Sequence, residues 1–175
     1  MIVETTRYPT LVRWVHWASV LLVFVAYLTS EAAEELQSGG DGQWHVLAGL
    51  MLLVLFLPRL AGYLLAHRGA PRPAFQSGPA ARIAAVTIHA ALLLFVVVQP
   101  LLGVLSLWAE GQAMPIPFTT WALPPMLAFD ARAGHTLEEA HEVIGNLFYA
   151  VIGLHVLAAL WHHFVRHDAT LRRML

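Results

Sequence analysis

Apolar residues run almost without interruption through four stretches, about 11–30, 43–66, 80–108 and 136–165, separated by segments containing Gly, Pro, Glu, Asp or Arg. Each stretch reaches or exceeds the roughly 20 residues that a helix needs to cross about 30 Å of hydrocarbon. A spanning segment finds no water for its backbone, so four such runs in one chain form helices packed as a bundle. The pattern predicts an all-α, membrane-embedded four-helix bundle with 1–175 as a single domain, and there is no internal repeat or low-complexity tract. The first run lacks the short apolar core and small-residue cleavage site of a signal peptide, so it is expected to stay in the mature protein.

Composition agrees with the bilayer reading. Hydrophobic residues make up 58% of the chain and charged residues 12%, against about 25% charged in soluble domains. No nucleic-acid partner is expected of such a chain. The basic residues are all arginines. Arg7 and Arg13 precede the first run, Arg59, Arg68, Arg72 and Arg82 lie at the end of the second or between it and the third, and Arg166, Arg172 and Arg173 follow the fourth. Nine of the ten therefore share one side, which puts both termini and the 67–79 loop on the cytoplasmic face. Glu31, Glu34, Glu35, Asp41, Glu110, Asp130, Glu138 and Glu139 make the other side acidic, an asymmetry that the net charge of −1 hides.

The two outer loops differ in length. Residues 31–42 form a short turn, whereas 109–135 carries Pro115, Pro117, Pro124 and Pro125 among Phe118, Trp121 and Phe129. A long outer loop of this composition is read either as a lid over an outer site or as an interfacial belt of aromatic residues.

Histidine placement supplies the chemistry. His141 and His155 stand fourteen residues apart in the last run, nearly four helical turns, so both point into one seam about 21 Å apart along the axis. His16 in the first run and His45 in the second complete two pairs at two depths: His45 with His141 near the outer surface, and His16 with His155 toward the inner one. Ionisable side chains within membrane helices are functional candidates, and two stacked six-coordinate haems require such pairs. A lone His near a helix end can instead hydrogen-bond a carbonyl at the interface. His89, His162 and His163 compete for the inner position, but His162 lies about 10 Å nearer the cytoplasm than His155 and suits a neighbour of the inner haem better than a ligand. With no cysteine in the chain, covalent attachment of haem, iron–sulfur clusters and disulfides are excluded. A transporter binding a single metal ion is disfavoured, because one ion wants its ligands within a few ångströms.

Small and basic residues refine the picture. Gly49 follows His45 by one turn, Gly145 follows His141 by one turn, and Gly153 stands beside His155, leaving room for a porphyrin, although glycine is also common in membrane helix contacts. Arg59, fourteen residues after His45, reaches the inner haem level, where a propionate can neutralise it; snorkelling to the cytoplasm is the other reading. Pro100 is expected to kink the third helix and Gly103 to relieve crowding there, leaving that helix as a wall bearing His89.

These elements together resemble the bacterial cytochrome b561 family: Arg13-Trp14-Val15-His16-Trp17, Trp44-His45-Val46-Leu47-Ala48-Gly49, Arg59-Leu60, Pro100-Leu101-Leu102-Gly103, His141-Glu142, Ile152-Gly153-Leu154-His155, His162-His163 and Asp168-x-Thr170-Leu171. The resemblance runs through nearly the whole length. It implies two haem b groups in the bundle core, one held by His16 and His155 and the other by His45 and His141, in a multi-pass protein of the bacterial inner membrane. Small dihaem members oxidise superoxide outside and pass electrons to ubiquinone, which would gather His89, His162 and Arg13 at an inner quinone and proton site. The acidic outer face departs from what an anionic donor favours, leaving Arg132 and His135 as its positive groups. An electron-transfer subunit or carrier serving another membrane dehydrogenase or hydrogenase is the alternative.

Overall fold

A computed structural model describes residues 7–31, 40, 42–69 and 78–175, with only the backbone of 65–69. Four long helices follow one another: α1 Thr10–Leu28, α2 Gly42–Gly69, α3 Pro79–Ala109 and α4 Ala131–Phe164. All four are long and apolar enough to cross a membrane, as the hydrophobic runs predicted. The short outer turn and the 67–79 loop fall mostly outside the described residues, and with them Glu34, Glu35, Asp41 and Arg72.

The helices run up and down. At one end Tyr27 at the close of α1 donates its hydroxyl to the Gly145 carbonyl of α4, and at the other Tyr8 N donates to Arg173 O beyond α4. Neighbouring helices are therefore antiparallel, with α1 packed on α2, α3 on α4, and α2 on α3. Pro58 and Pro100 lie inside α2 and α3 without ending them, as neighbouring helices permit in a membrane bundle. Gly49 lets α2 and α3 approach closely, because a Cβ there would stand 3.4 Å from Pro100 Cβ.

The last helix begins five residues before the predicted position 136. Asp130 caps it, its carboxylate accepting from Arg132 N and Ala133 N, which satisfies two of the backbone donors that a helix start leaves free. The region 109–135 is correspondingly shorter than expected and has secondary structure of its own. Strands β1 Met114–Pro115 and β2 Ala122–Leu123 pair antiparallel, with Met114 opposite Leu123. Phe118 turns this hairpin in a left-handed conformation at φ 60°; its N–H donates to Gln43 Oε1 and its ring meets Trp44 edge-on at 4.7 Å. Apart from buried Met114, the hairpin region turns Trp121, Met126 and Phe129 outward. Those exposed side chains are placed as an interfacial belt would have them, while Met114 lines the cavity at this end of the bundle.

Gly134 lies against the end of α3, and a Cβ there would fall 2.4 Å from Glu110 Cγ and 3.3 Å from Glu110 N. Gly134→Val is expected to pry α4 from α3 and cost about 1–3 kcal/mol, read as a lower melting temperature of the purified protein in detergent. Gly78→Ala, where a Cβ meets nothing within 4 Å, should leave it unchanged. Equal melting temperatures for the two variants would contradict the packing described.

Candidate functional site

Near the hairpin end the helices surround a cavity of about 420 Å³ lined by His45, Gly49, Gln99, Gly103, His141 and Gly145 among others. His45 and His141 face one another across it, ring centroids 6.0 Å apart and planes at 69°. Each ring is oriented through Nδ1. His45 Nδ1 pairs with Ala26 O of α1 at 2.8 Å, and His141 Nδ1 pairs with Gln99 O of α3 at 2.9 Å. A carbonyl can only accept, so Nδ1 carries the proton in both rings and Nε2 keeps its lone pair. Two metal–imidazole bonds of about 2.0–2.1 Å plus the two ring radii come close to the separation observed.

Gln99 was not anticipated as a site residue. Besides the carbonyl that holds His141, its side-chain Nε2 donates to His141 O at 2.6 Å, so one residue fixes both the ring and the backbone of the histidine. Its signal was present in the sequence: an amide standing alone in the apolar run Val96-Val97-Val98-Gln99-Pro100, where an unsatisfied polar group is costly. The glycines shape the same space. A Cβ at Gly103 would meet His141 Cε1 at 3.4 Å, and one at Gly145 would meet Gln99 Nε2 at 3.1 Å.

The rim of this cavity is acidic, with Glu31, Glu138 and Glu142 among its lining. Of the two positive groups expected there, Arg132 is exposed on the first turn of α4. His135 lies between carboxylates, 3.9 Å from Glu138 and 3.6 Å from Glu139, which leaves it poorly placed to hold an anion.

Toward the other end, His16, His155, His89 and Arg59 lie within electrostatic range of one another. Arg59 approaches His16 Nδ1 at 3.4 Å, so it turns into the bundle instead of snorkelling out. His89 meets His155 edge-on, centroids 5.3 Å apart, while its Nδ1 pairs with Ala85 O one turn back at 2.6 Å. A Cβ at Gly153 would meet nothing within 4 Å, leaving open space beside His155. Farther out, His162 pairs with Asp168, and Arg13 donates to Leu175 O. The structure thus brings His45 together with His141, and His16 with Arg59, while His89 touches His155 and Arg13 is engaged by Leu175. No group of three or more His, Asp or Glu capable of chelating a single ion occurs among the described residues. His45 and His141 instead face one another as a pair.

Residues 7–175 match the family model described as prokaryotic cytochrome b561. The chain is 30% identical to a protein of Yersinia pestis named probable superoxide oxidase CybB, over 97% of this chain and 96% of that one. It is 26% identical to cytochrome b561 homolog 1 of Escherichia coli K12, over 93% of each chain. Cytochrome b562 of Cereibacter sphaeroides is 28% identical, over 91% of this chain and 89% of that one. The chain belongs to the prokaryotic cytochrome b561 family, multi-pass bacterial membrane proteins that bind haem b and transfer electrons.

The cavity's glycines give a direct check on where haem b sits. Gly103→Leu fills space beside His141 and is expected to lower the haem bound per chain, measured by pyridine haemochrome, while far-UV circular dichroism stays that of the native helices. Full haem content in that variant would remove the cavity from consideration.

Proposed function

We propose that this cytochrome b561 holds two haem b groups, oxidises superoxide at the hairpin side of the membrane and reduces ubiquinone near the end where the termini lie. The observation that carries the haem assignment is the facing pair His45 and His141, with both Nδ1 atoms tied to carbonyls of other helices. This is the preorganised imidazole arrangement typical of metal ligands. His16 and His155 hold the second group by the same logic of depth, with Arg59 close enough to offset propionate charge. Haem iron ligated by two imidazoles supplies one-electron transfer without an open position for oxygen. Nine of the ten arginines belong to the termini side, which makes that side cytoplasmic by the positive-inside rule.

Superoxide as donor is supported by similarity to the Yersinia protein named probable superoxide oxidase, and it loses one electron to become dioxygen. Ubiquinone takes two electrons and two protons, so its site needs proton donors. His89 beside His155, and His162 and Arg13 farther out, are the polar groups available at that end. The acidic rim formed by Glu31, Glu138 and Glu142 favours a second reading, in which the donor is a positively charged protein partner and the chain serves as an electron-carrying subunit of a dehydrogenase or hydrogenase.

Acid–acetone should extract all pigment at two haems per chain. Replacing His45 or His141 by Ala should abolish one low-spin signal and replacing His16 or His155 the other, while His89→Ala keeps both and slows quinone reduction. One haem per chain, or loss of a low-spin signal in His89→Ala, would contradict the two-pair assignment.

Rapid mixing of oxidised protein with superoxide separates the two donor readings. Superoxide should reduce the haem more slowly than the electrostatically steered range of about 10⁸–10⁹ M⁻¹s⁻¹, because the carboxylates repel an anion, and added salt should speed the reaction by screening them. Arg132→Ala should slow it. If superoxide produces no haem reduction, the carrier reading stands and the oxidase reading falls.

A further inference from the structure

Beyond α4 the chain folds back beneath its own last turn. His167 adopts a left-handed conformation at φ 52°, and this reversal brings Asp168 N to donate to His162 O at 3.1 Å. The Asp168 side chain is left only 8% exposed. Its Oδ2 accepts from His162 Nδ1 at 2.5 Å, and its Oδ1 accepts from Thr170 N at 2.9 Å. The strand of chain that follows is fastened to α1, with Trp17 Nε1 donating to Met174 O at 2.9 Å and Arg13 to Leu175 O. Trp17 adjoins His16, so the carboxylate and the helix end it grips lie at the same end of the bundle as the inner histidines. The other charged groups gathered there are Arg13, Arg166, Arg172 and Arg173, with His163 next to His162. Burial alone would raise the Asp168 carboxyl, but the hydrogen bonds from His162 and Thr170 outweigh it and hold it at about 2. The group is therefore a carboxylate at any physiological pH.

We propose that Asp168 is the positioning residue for proton delivery to quinone: it fixes the His162 ring so that Nδ1–H points at the carboxylate and Nε2 is the atom that gives up the proton. This rests on the reading of His162 as part of the quinone site. The step balances simply. Quinone receives two electrons through the haem groups, and as a proton passes, the Nε2–H bond of the imidazolium breaks and an O–H bond forms on a reduced quinone oxygen. The neutral imidazole that remains still donates Nδ1–H to Asp168, so its Nε2 lone pair is presented for reprotonation from cytoplasmic water. The carboxylate itself stays ionised and keeps the ring oriented through the transfer, as an orienting carboxylate does in other dyads. An amide in its place can present its NH₂ to Nδ1, which moves the proton of the neutral ring to Nε2.

The test uses the full chain loaded with haem in nanodiscs, pre-reduced and mixed with decylubiquinone, with haem reoxidation followed in H₂O and D₂O. Asp168→Asn is expected to slow reoxidation by about 10–100-fold, the usual range for losing an orienting partner. The haem spectra should be unchanged and the solvent isotope effect larger than in the unaltered protein, because proton transfer has become limiting. Asp168→Asn combined with His162→Gln should be no slower than His162→Gln alone, and Asp168→Glu should recover much of the rate. Normal reoxidation in Asp168→Asn beside slow reoxidation in His162→Gln would overturn the positioning role while leaving His162 in the quinone site. Normal reoxidation in His162→Gln would overturn the assignment of His162, and this proposal with it. A slow Asp168→Asn whose isotope effect is unchanged and whose defect adds to that of His162→Gln would show a structural role only, and would also overturn it.

Discussion

An imidazole inside hydrocarbon is tolerated only if its nitrogens are engaged, and at the hairpin end this chain engages one nitrogen of each ring with the backbone of a different helix. His45 of α2 is tied to α1 through Ala26 O, and His141 of α4 to α3 through Gln99 O. The same two bonds that lower the cost of burying polar rings therefore join α2 to α1 and α4 to α3, and aim two lone pairs at one space. Much else follows from that constraint. A Cβ at Gly103 would come into van der Waals contact with His141, and one at Gly145 would crowd the Gln99 amide.

The termini end is built on another principle. There His16 faces an arginine instead of a carbonyl, His89 rests on His155, and α3 is exposed over most of its first turns. At this end bonds to backbone carbonyls tie the returning tail to α1, and a charged side chain stands against His16. Arg59 stands 3.4 Å from His16 Nδ1, where His45 and His141 each have a backbone carbonyl. The quinone site proposed at this end needs access from the bilayer, which the exposed first turns of α3 would supply.

Much of this was legible in the chain. Hydropathy alone yields four helices because a membrane span must be long, apolar and internally hydrogen-bonded. The fourteen-residue interval between His141 and His155 yields one seam because it is nearly a whole number of turns. What escaped were features decided by local hydrogen bonds. Asp130 before Ala-Arg-Ala is a capping signal, yet the hydrophobic run starts later, so the helix start was placed too far along. The β1–β2 hairpin has two-residue strands and a turn at Phe118, lacking the Asn-Gly or Asp-Gly signal by which short hairpins are read. Helical spacing does not mark Gln99, whose role depends on the carbonyl and amide it places against His141.

Asp168 shows the same limit from the other side. In sequence it is an acidic residue in a basic tail, six positions from His162 and beyond the helix end, where helical spacing no longer predicts neighbours. Only the reversal at His167 brings the two together. The burial of the carboxylate would be unfavourable if it were unpaired, so the fold compensates by giving its two oxygens separate donors, His162 and Thr170. Those bonds hold His162 at the termini end, and the bonds from Trp17 and Arg13 hold the tail that carries Asp168 against α1. Movement of α1 relative to α4 is thereby resisted at both ends of the bundle, by Tyr27 on Gly145 near the hairpin and by the returning tail near the termini.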